Sequence, residues 1–377
     1  MEKHLYRMRW GLDNKSKYNF LFAGGGTGGH LFPAVAVAEM IKEKIPGADI
    51  LFVGTKSKIE GRVIPQLGFK FQSIWIKGFS RNFTFENILF PLKIIVSIMQ
   101  SILINLKFKP KVAIGSGGYV AGPAIFSSAI LGAKVILIEQ NSFPGVTTRI
   151  LEKYADEIHI SFDDSRKYFK NKEKVFFTGN PIRQKLSSIQ KEDALRKFGF
   201  ISGKKTLLIL GGSLGAASLN DAAAASVKKL QGSGLQIIWQ TGNLYYKKYE
   251  SLTSPGIWIN SFIDEMNFAY SAADLLLARS GATTIAELLA LGIPSILVPS
   301  PNVAGNHQYF NAKSLSDKNA AVLIEDKYIK EKFFDSVNDL IFNDSKLFEL
   351  SKNARALAKP DAAQIIAANA INLAGKK

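Results

Sequence analysis

The sequence predicts an α/β protein of two domains, each a parallel sheet covered by helices. Three observations carry this. The chain has 377 residues, more than the roughly 100–200 that one ordinary domain holds. Apolar runs of strand length alternate with stretches of helical spacing, the rhythm of a parallel sheet with helices on both faces. A glycine-rich loop follows the first apolar run of each half, about half a chain apart.

The elements follow in order. Residues 19–23 (NFLFA) read as a short buried strand that runs into glycines. Residues 33–44 read as a helix, with Ala34, Ala38, Ile41 and Ile45 at helical spacing. Strands are expected at 50–53, 112–114 and 135–138. The pattern restarts after Gly179-Asn180-Pro181, with strands at 207–210, 237–240, 275–278 and 296–298. Residues 1–18 read as a basic, disordered lead-in, 19–181 as the first domain and 182–358 as the second. Residues 359–377 form a closing helix that packs back on the first domain.

Composition narrows the function. The hydrophobic fraction of 47% suffices for two cores. The absence of Cys excludes disulfides and thiolate metal sites. Lys and Arg number 48 against 31 Asp and Glu, a net charge of +17. That balance fits an anionic partner or lysines on solvated faces, and charge alone does not separate them. The first 18 residues hold no continuous apolar signal region. Residues 88–106 are apolar but carry Pro91, Lys93, Gln100 and Asn105. A spanning helix needs ~20 largely apolar residues, so this stretch reads as a domain helix, with a membrane span as the alternative. Residues 94–106 are expected to be core, covering the sheet.

The chemistry sits in loops. Gly24-Gly25-Gly26-Thr27-Gly28-Gly29-His30 contains G-x-G-x-x-G between a strand and a helix, where glycine permits close backbone approach and the helix start favours anions. NAD binding would also need an acid about 20 residues on, at the end of the second strand. That strand ends Val53-Gly54-Thr55-Lys56, without one. Gly115-Ser116-Gly117-Gly118-Tyr119 and Gly211-Gly212-Ser213-Leu214-Gly215 repeat the strand-loop-helix context. Arg279-Ser280-Gly281-Ala282-Thr283-Thr284 leads into a helix with Glu287 about one turn in, where a carboxylate can accept from a ribose diol. Its alternative is a favourable charge near a helix start. The four His show no i,i+4 pair, and neither Asp-x-Asp nor a Walker loop occurs. Neither a metal centre nor a cofactor is indicated.

These residues resemble the MurG family, GT-B glycosyltransferases of family 28. The carriers are Gly25 to His30 with Phe32-Pro33, Gly117-Gly118-Tyr119-Val120, Glu139-Gln140-Asn141, Gly179 to Arg183, Gly211-Gly212-Ser213, Phe262-Ile263-Asp264, Arg279 to Glu287, and His307-Gln308-Tyr309 before Asn311-Ala312. They stand in family order over nearly the whole chain from Asn19. The resemblance implies two Rossmann-like domains facing across a cleft, the first taking the lipid acceptor at the membrane and the second binding UDP-GlcNAc. It implies transfer of N-acetylglucosamine from UDP-GlcNAc to the 4-hydroxyl of the MurNAc of lipid I, forming lipid II for peptidoglycan. Donor contacts would be Thr27, Gly28, Gly29, Asn141, Arg183, Ser213, Ile263, Ala282, Thr283, Thr284, Glu287 and Gln308. Glu287 would hold the ribose, Ile263 would meet uracil through its backbone, and Asn141 would read a sugar hydroxyl. Gly26, Gly117, Gly118 and Tyr119 would form acceptor pyrophosphate loops. Leu214 stands where many family members carry Gln, and His307 where some carry a second Gln, which puts single polar contacts in doubt.

His30 is the candidate base, a neutral imidazole at a glycine loop. The alternative for it is a residue that orders the helix start. Glu139 is the rival base. The aromatic run Phe79, Phe83, Phe85 and Phe90, followed by Lys107, Lys109 and Lys111, predicts peripheral docking on an anionic membrane, at its cytoplasmic face. A cell-wall synthesis complex would be the protein partner, and nucleic acid is not expected. A UDP-GlcNAc 2-epimerase, another GT-B lipid glycosyltransferase or a non-catalytic nucleotide-sugar module would share the fold.

Overall fold

The computed structural model describes residues 18–78, 90–182, 189–212 and 214–375. The first half runs β1 (Asn19–Gly24), α1 (Gly28–Lys44), β2 (Asp49–Gly54), α2 (Ile59–Gln66), β3 (Lys70–Ser73), α3 (Phe90–Phe108), β4 (Val112–Gly117), α4 (Ala121–Ile130), β5 (Lys134–Glu139), α5 (Val146–Leu151), β6 (Glu157–Ile160) and β7 (Val175–Phe177). The second runs α6 (Lys191–Lys197), β8 (Thr206–Leu210), α7 (Ala217–Gly232), β9 (Gln236–Gln240), α8 (Tyr246–Tyr249), β10 (Ile257–Asn260), α9 (Met266–Ala272), β11 (Leu275–Ala278), α10 (Ala282–Leu291), β12 (Ser295–Leu297), α11 (His307–Ser316), β13 (Val322–Leu323), α12 (Ile329–Ile341), α13 (Asp344–Leu357) and α14 (Ala362–Gly375).

Among the described residues, the first sheet has seven strands in the order β3-β2-β1-β4-β5-β6-β7 and the second has six in the order β10-β9-β8-β11-β12-β13. Neighbouring strands in both are parallel. Each sheet is therefore doubly wound and reverses direction once, between β1 and β4 and between β8 and β11. Loops leaving the carboxyl ends of strands beside such a reversal open a crevice where ligands bind.

Strand alternation builds a core on each face of each sheet. In β1, Phe20 and Phe22 face the α1 side, with Ile114 and Ile138, while Leu21 and Ala23 face the α4 side, with Ala113 and Ile125. The second domain repeats this: Leu207 and Ile209 pack with Leu219 and Trp239, Leu208 and Leu210 with Ile285 and Leu297. α14 lies against α1, and its Ile366, Ala367, Ala370 and Leu373 join the first domain's core. Asn369 anchors it by donating to the Glu157 carboxylate at 2.9 Å.

The apolar stretch at 94–106 does not cover the sheet as the sequence suggests. In α3 the buried stripe is polar: Lys93, Ser97, Ser101 and Asn105. Leu92, Ile95, Met99, Leu103 and Leu106 are exposed, Leu103 by 67%. Small polar residues let α3 lie close on α4, where Ser128 Oγ donates to Asn105 Oδ1 at 2.7 Å. The hydroxyls of Ser97 and Ser101 and the Asn105 amide are satisfied by carbonyls of α3 itself. The buried seam is thus paid in hydrogen bonds, and the apolar face is left to the outside.

Candidate active site

The first domain's half of the crevice is built from three loops. After β1 the chain bends through Gly24 to Thr27 into α1, and after β4 it bends through Gly117 and Gly118 into α4. The two bends touch. A Cβ on Gly118 would lie 2.5 Å from the Gly25 carbonyl oxygen, and its φ of +79° suits glycine alone. Gly118→Ala is expected to cost about 1–3 kcal/mol from the backbone strain alone, measurable by denaturant unfolding.

His30 stands at this contact. Its Nδ1–H donates to the Ser116 carbonyl at 2.9 Å, with Gln140 Oε1 at 3.2 Å. Gln140 Nε2 donates to the same carbonyl at 2.8 Å, and Ser116 Oγ donates back to the His30 carbonyl at 2.7 Å. In the neutral ring, a proton held at Nδ1 leaves Nε2 as the accepting nitrogen, the tautomer a base requires. Gly117 makes room for the ring, since a Cβ there would meet Nδ1 at 2.7 Å.

Glu139 ends β5 and is buried. Its Oε1 accepts from the Asn141 N–H at 3.0 Å and from Asn141 Nδ2 at 3.3 Å, and its Oε2 accepts from the Gly145 N–H at 3.0 Å. Both oxygens hold the third loop in shape. Tyr119 lies over the first loop: a Cβ on Gly26 would be 3.5 Å from its hydroxyl. Burial first, and the Glu60 carboxylate second, push the Tyr119 phenol above its ordinary range, against the opposing pull of Lys77.

The second domain's half centres on α10. No acidic side chain occupies its first turn, and its N-cap, Gly281, supplies no side-chain acceptor. The first amides of α10 therefore have no side-chain cap. Thr283 Oγ1 is buried and makes no hydrogen bond. The half-buried Glu287 accepts from the Tyr270 hydroxyl at 2.7 Å on Oε2. Burial pushes its carboxyl up, and the Tyr270 bond partly opposes that. Ile263 N–H donates to Gln240 Oε1 at 3.0 Å, so the carbonyl is the backbone group it offers. Gln308 Oε1 accepts from the Ser300 N–H at 2.8 Å, leaving its NH₂ as donor.

Asn311 on α11 joins the halves. It is wholly buried. Its Oδ1 accepts from the Ser142 N–H at 2.8 Å, and its Nδ2 donates to Asn141 Oδ1 at 3.2 Å and to the Ser280 carbonyl at 3.3 Å. Phe143 stacks on Phe310 with ring centres 5.6 Å apart, and the Ser314 hydroxyl donates to Asp164.

Residues 20–160 match the glycosyltransferase family 28 N-terminal domain, and residues 206–366 match the glycosyltransferase family 28 C-terminal domain. The chain belongs to glycosyltransferase family 28. It is 40% identical over 360 residues to the UDP-N-acetylglucosamine--N-acetylmuramyl-(pentapeptide) pyrophosphoryl-undecaprenol N-acetylglucosamine transferase of Flavobacterium psychrophilum, covering 95% of this chain and 98% of that one. The crystal structure of Acinetobacter baumannii MurG superposes with a TM-score of 0.75 at 27% identity, over 94% of this chain and 99% of that one. A putative UDP-N-acetylglucosamine 2-epimerase from Listeria monocytogenes superposes with a TM-score of 0.68 at 14% identity, over 93% and 95%, a likeness of fold alone. The two doubly wound domains are the GT-B fold, and the chain is a glycosyltransferase of the hexosyl-transferring class.

Within this family-28 frame, Thr27, Gly28, Gly29 and His30 open α1, and Asn141 reaches the second domain through Asn311. Ala282, Thr283, Thr284 and Glu287 share α10. Arg183 and Ser213 lie outside the described residues, as do Phe79, Phe83 and Phe85. Gly26 differs from what a phosphate loop suggests, because its N–H already donates to Glu60 Oε2 at 2.9 Å. The sequence reading also missed an acid at the end of β2. Glu60 reaches back from α2 to the Thr55 N–H at 3.0 Å. Gln140 and Asn311 were visible only as parts of motifs, because their partners lie in other loops.

Proposed function

We propose that this family-28 protein transfers N-acetylglucosamine from UDP-GlcNAc to the 4-hydroxyl of MurNAc in lipid I, giving lipid II and UDP. The observation that carries the substrate pair is the near-full-length likeness to a transferase whose name states it. The acceptor hydroxyl gives its proton to His30 Nε2, its oxygen bonds to the anomeric carbon, and the bond from that carbon to the β-phosphate oxygen breaks. The electron pair leaves with UDP and the anomeric centre inverts. Alignment of the two substrates across the Asn141–Asn311 bridge lowers the entropic barrier. The amides at the start of α10, with Arg183 and Ser213, receive the leaving phosphate charge. Glu287 holds the ribose through Oε1, the Ile263 carbonyl accepts from uracil, and Asn141 and Gln308 read the sugar. Gly117, Gly118 and Tyr119 shape the acceptor side. Labelled UDP-GlcNAc incubated with and without lipid I tests this: a lipid-soluble labelled product should require lipid I. An altered nucleotide sugar formed from donor alone would instead identify the 2-epimerase.

The acceptor's undecaprenyl chain places the reaction at a membrane, and the protein docks there peripherally, on the cytoplasmic face. The exposed face of α3 supports this, followed by exposed Lys107, Lys109 and Lys111. α3 is long and apolar enough to cross a membrane, but its polar seam on α4 would be stripped of the Ser128–Asn105 bond by insertion. Lying at the surface keeps that seam and buries the apolar face in the headgroup boundary, with about 1 kcal/mol from each nearby cation, screened by salt. Met99→Ser with Leu103→Ser should reduce sedimentation with anionic liposomes and activity on full-length acceptor, leaving a short-chain soluble acceptor largely unaffected. Equal loss on both acceptors would defeat the docking assignment.

A further inference from the structure

Glu60 is a buried carboxylate to which the chemistry above assigns no task. It lies one residue into α2 with 1% exposure and accepts two backbone N–H groups, Gly26 at 2.9 Å and Thr55 at 3.0 Å. One belongs to the bend after β1, the other to the turn after β2. The surroundings are shaped around it. A Cβ on Gly25 would fall 2.4 Å from its carboxyl carbon, and one on Gly54 would fall 2.5 Å from its Cγ. A negative charge beneath a glycine loop is the opposite of what an anion-binding loop alone would select. Its place is explained by the loop itself, because hydrogen bonds to an ionised acceptor are stronger than neutral ones and hold both segments in one geometry.

We propose that Glu60 is a positioning residue for the acceptor: by tying the Gly25–Gly26 bend to the end of β2, it sets where the Tyr119 hydroxyl, which lies against Gly26, stands toward the acceptor's diphosphate. The assignment rests on the transfer reading above, with the acceptor on the first domain. It turns the Gly26 amide into a strut and leaves recognition to the groups on either side of it. The charge has a second consequence. Burial first and the Glu60 charge second push the Tyr119 phenol further above its ordinary range, against Lys77.

The test is Glu60→Gln in the full-length protein, which keeps the volume but replaces one accepting oxygen by an NH₂ group that cannot accept. The KM for a soluble lipid I analogue should rise about tenfold, the size of one lost charged hydrogen bond in the loop that positions it, and by clearly more than the KM for UDP-GlcNAc, whose contacts Thr27 to Gly29 follow the same bend. Hydrogen exchange of the segment 24–30, measured without substrate, should accelerate in the same variant. Glu60→Asp, which keeps the charge but is too short to hold both amides, should move both readouts in the same direction and serves if the Gln variant does not fold. Unchanged exchange, or an unchanged acceptor KM, overturns the proposal. So does an equal rise in both KM values with a lowered melting temperature, which would make Glu60 a general support of the fold. A wild-type protein that transfers no sugar to lipid I, yet shows the exchange difference, would reject the transfer reading and leave the Glu60 strut standing.

Discussion

Replacing His30 with alanine is expected to lower kcat by ~10²–10⁴-fold, the usual contribution of a positioned general base, while UDP affinity stays nearly intact. The expectation rests on the proton held at Nδ1 by the Ser116 carbonyl and Gln140. That arrangement leaves Nε2 to accept, at the carboxyl end of the first domain's sheet. Quenched-flow or steady-state turnover with saturating substrates checks it. A normal kcat in a folded variant would remove His30 from the mechanism and promote Glu139. For Glu139 the change would be costly, since its two oxygens carry the amides of Asn141 and Gly145, and a proton taken up there would weaken the bonds that shape the loop carrying Asn141.

Glu287→Ala is expected to weaken UDP binding by about 1.5–3 kcal/mol, as for a lost hydrogen bond to a charged group, which calorimetry would read as roughly a 10- to 150-fold rise in Kd. Unchanged affinity would end the ribose assignment. The raised carboxyl adds a pH dependence. Only the ionised form accepts from both ribose hydroxyls, so UDP affinity should fall as pH drops through a range above that of an ordinary glutamate. The effect on stability has the opposite sign. A carboxyl raised on folding binds its proton more tightly in the folded chain, so its contribution is fully present at low pH and is lost as pH rises through the folded value. An affinity that declined toward alkaline pH over that same range would contradict the assignment.

The sequence by itself determined the two-domain α/β architecture and the placing of the glycine loops. The strands around each reversal, β1, β4, β5, β8, β9 and β11, are buried on both faces and so read as continuous apolar runs, which composition alone reveals. The strands away from them were less legible: β3 is KFQS and mostly exposed, β13 has two residues, and β6, β7 and β10 are three or four residues long. Their pairing is imposed by the neighbouring strand rather than by their own periodicity. The orientation of α3 was decided by tertiary structure. Local hydropathy marks it as buried, but the small polar stripe fits α4 more closely, and packing overrode the apolar count. At the site, residue types and motif order named His30, Glu287 and Asn141. The Nδ1 proton of His30, the strut from Glu60 to Gly26 and Thr55, and the bridge of Asn311 to Asn141 and Ser142 arose only on folding. Each joins backbone or side-chain atoms of separate segments, 34 residues apart for Gly26 and Glu60 and 169 for Ser142 and Asn311. Patterns along a chain report burial within one element, whereas hydrogen bonds of this kind exist only once the loops from different strands reach the same edge of a sheet.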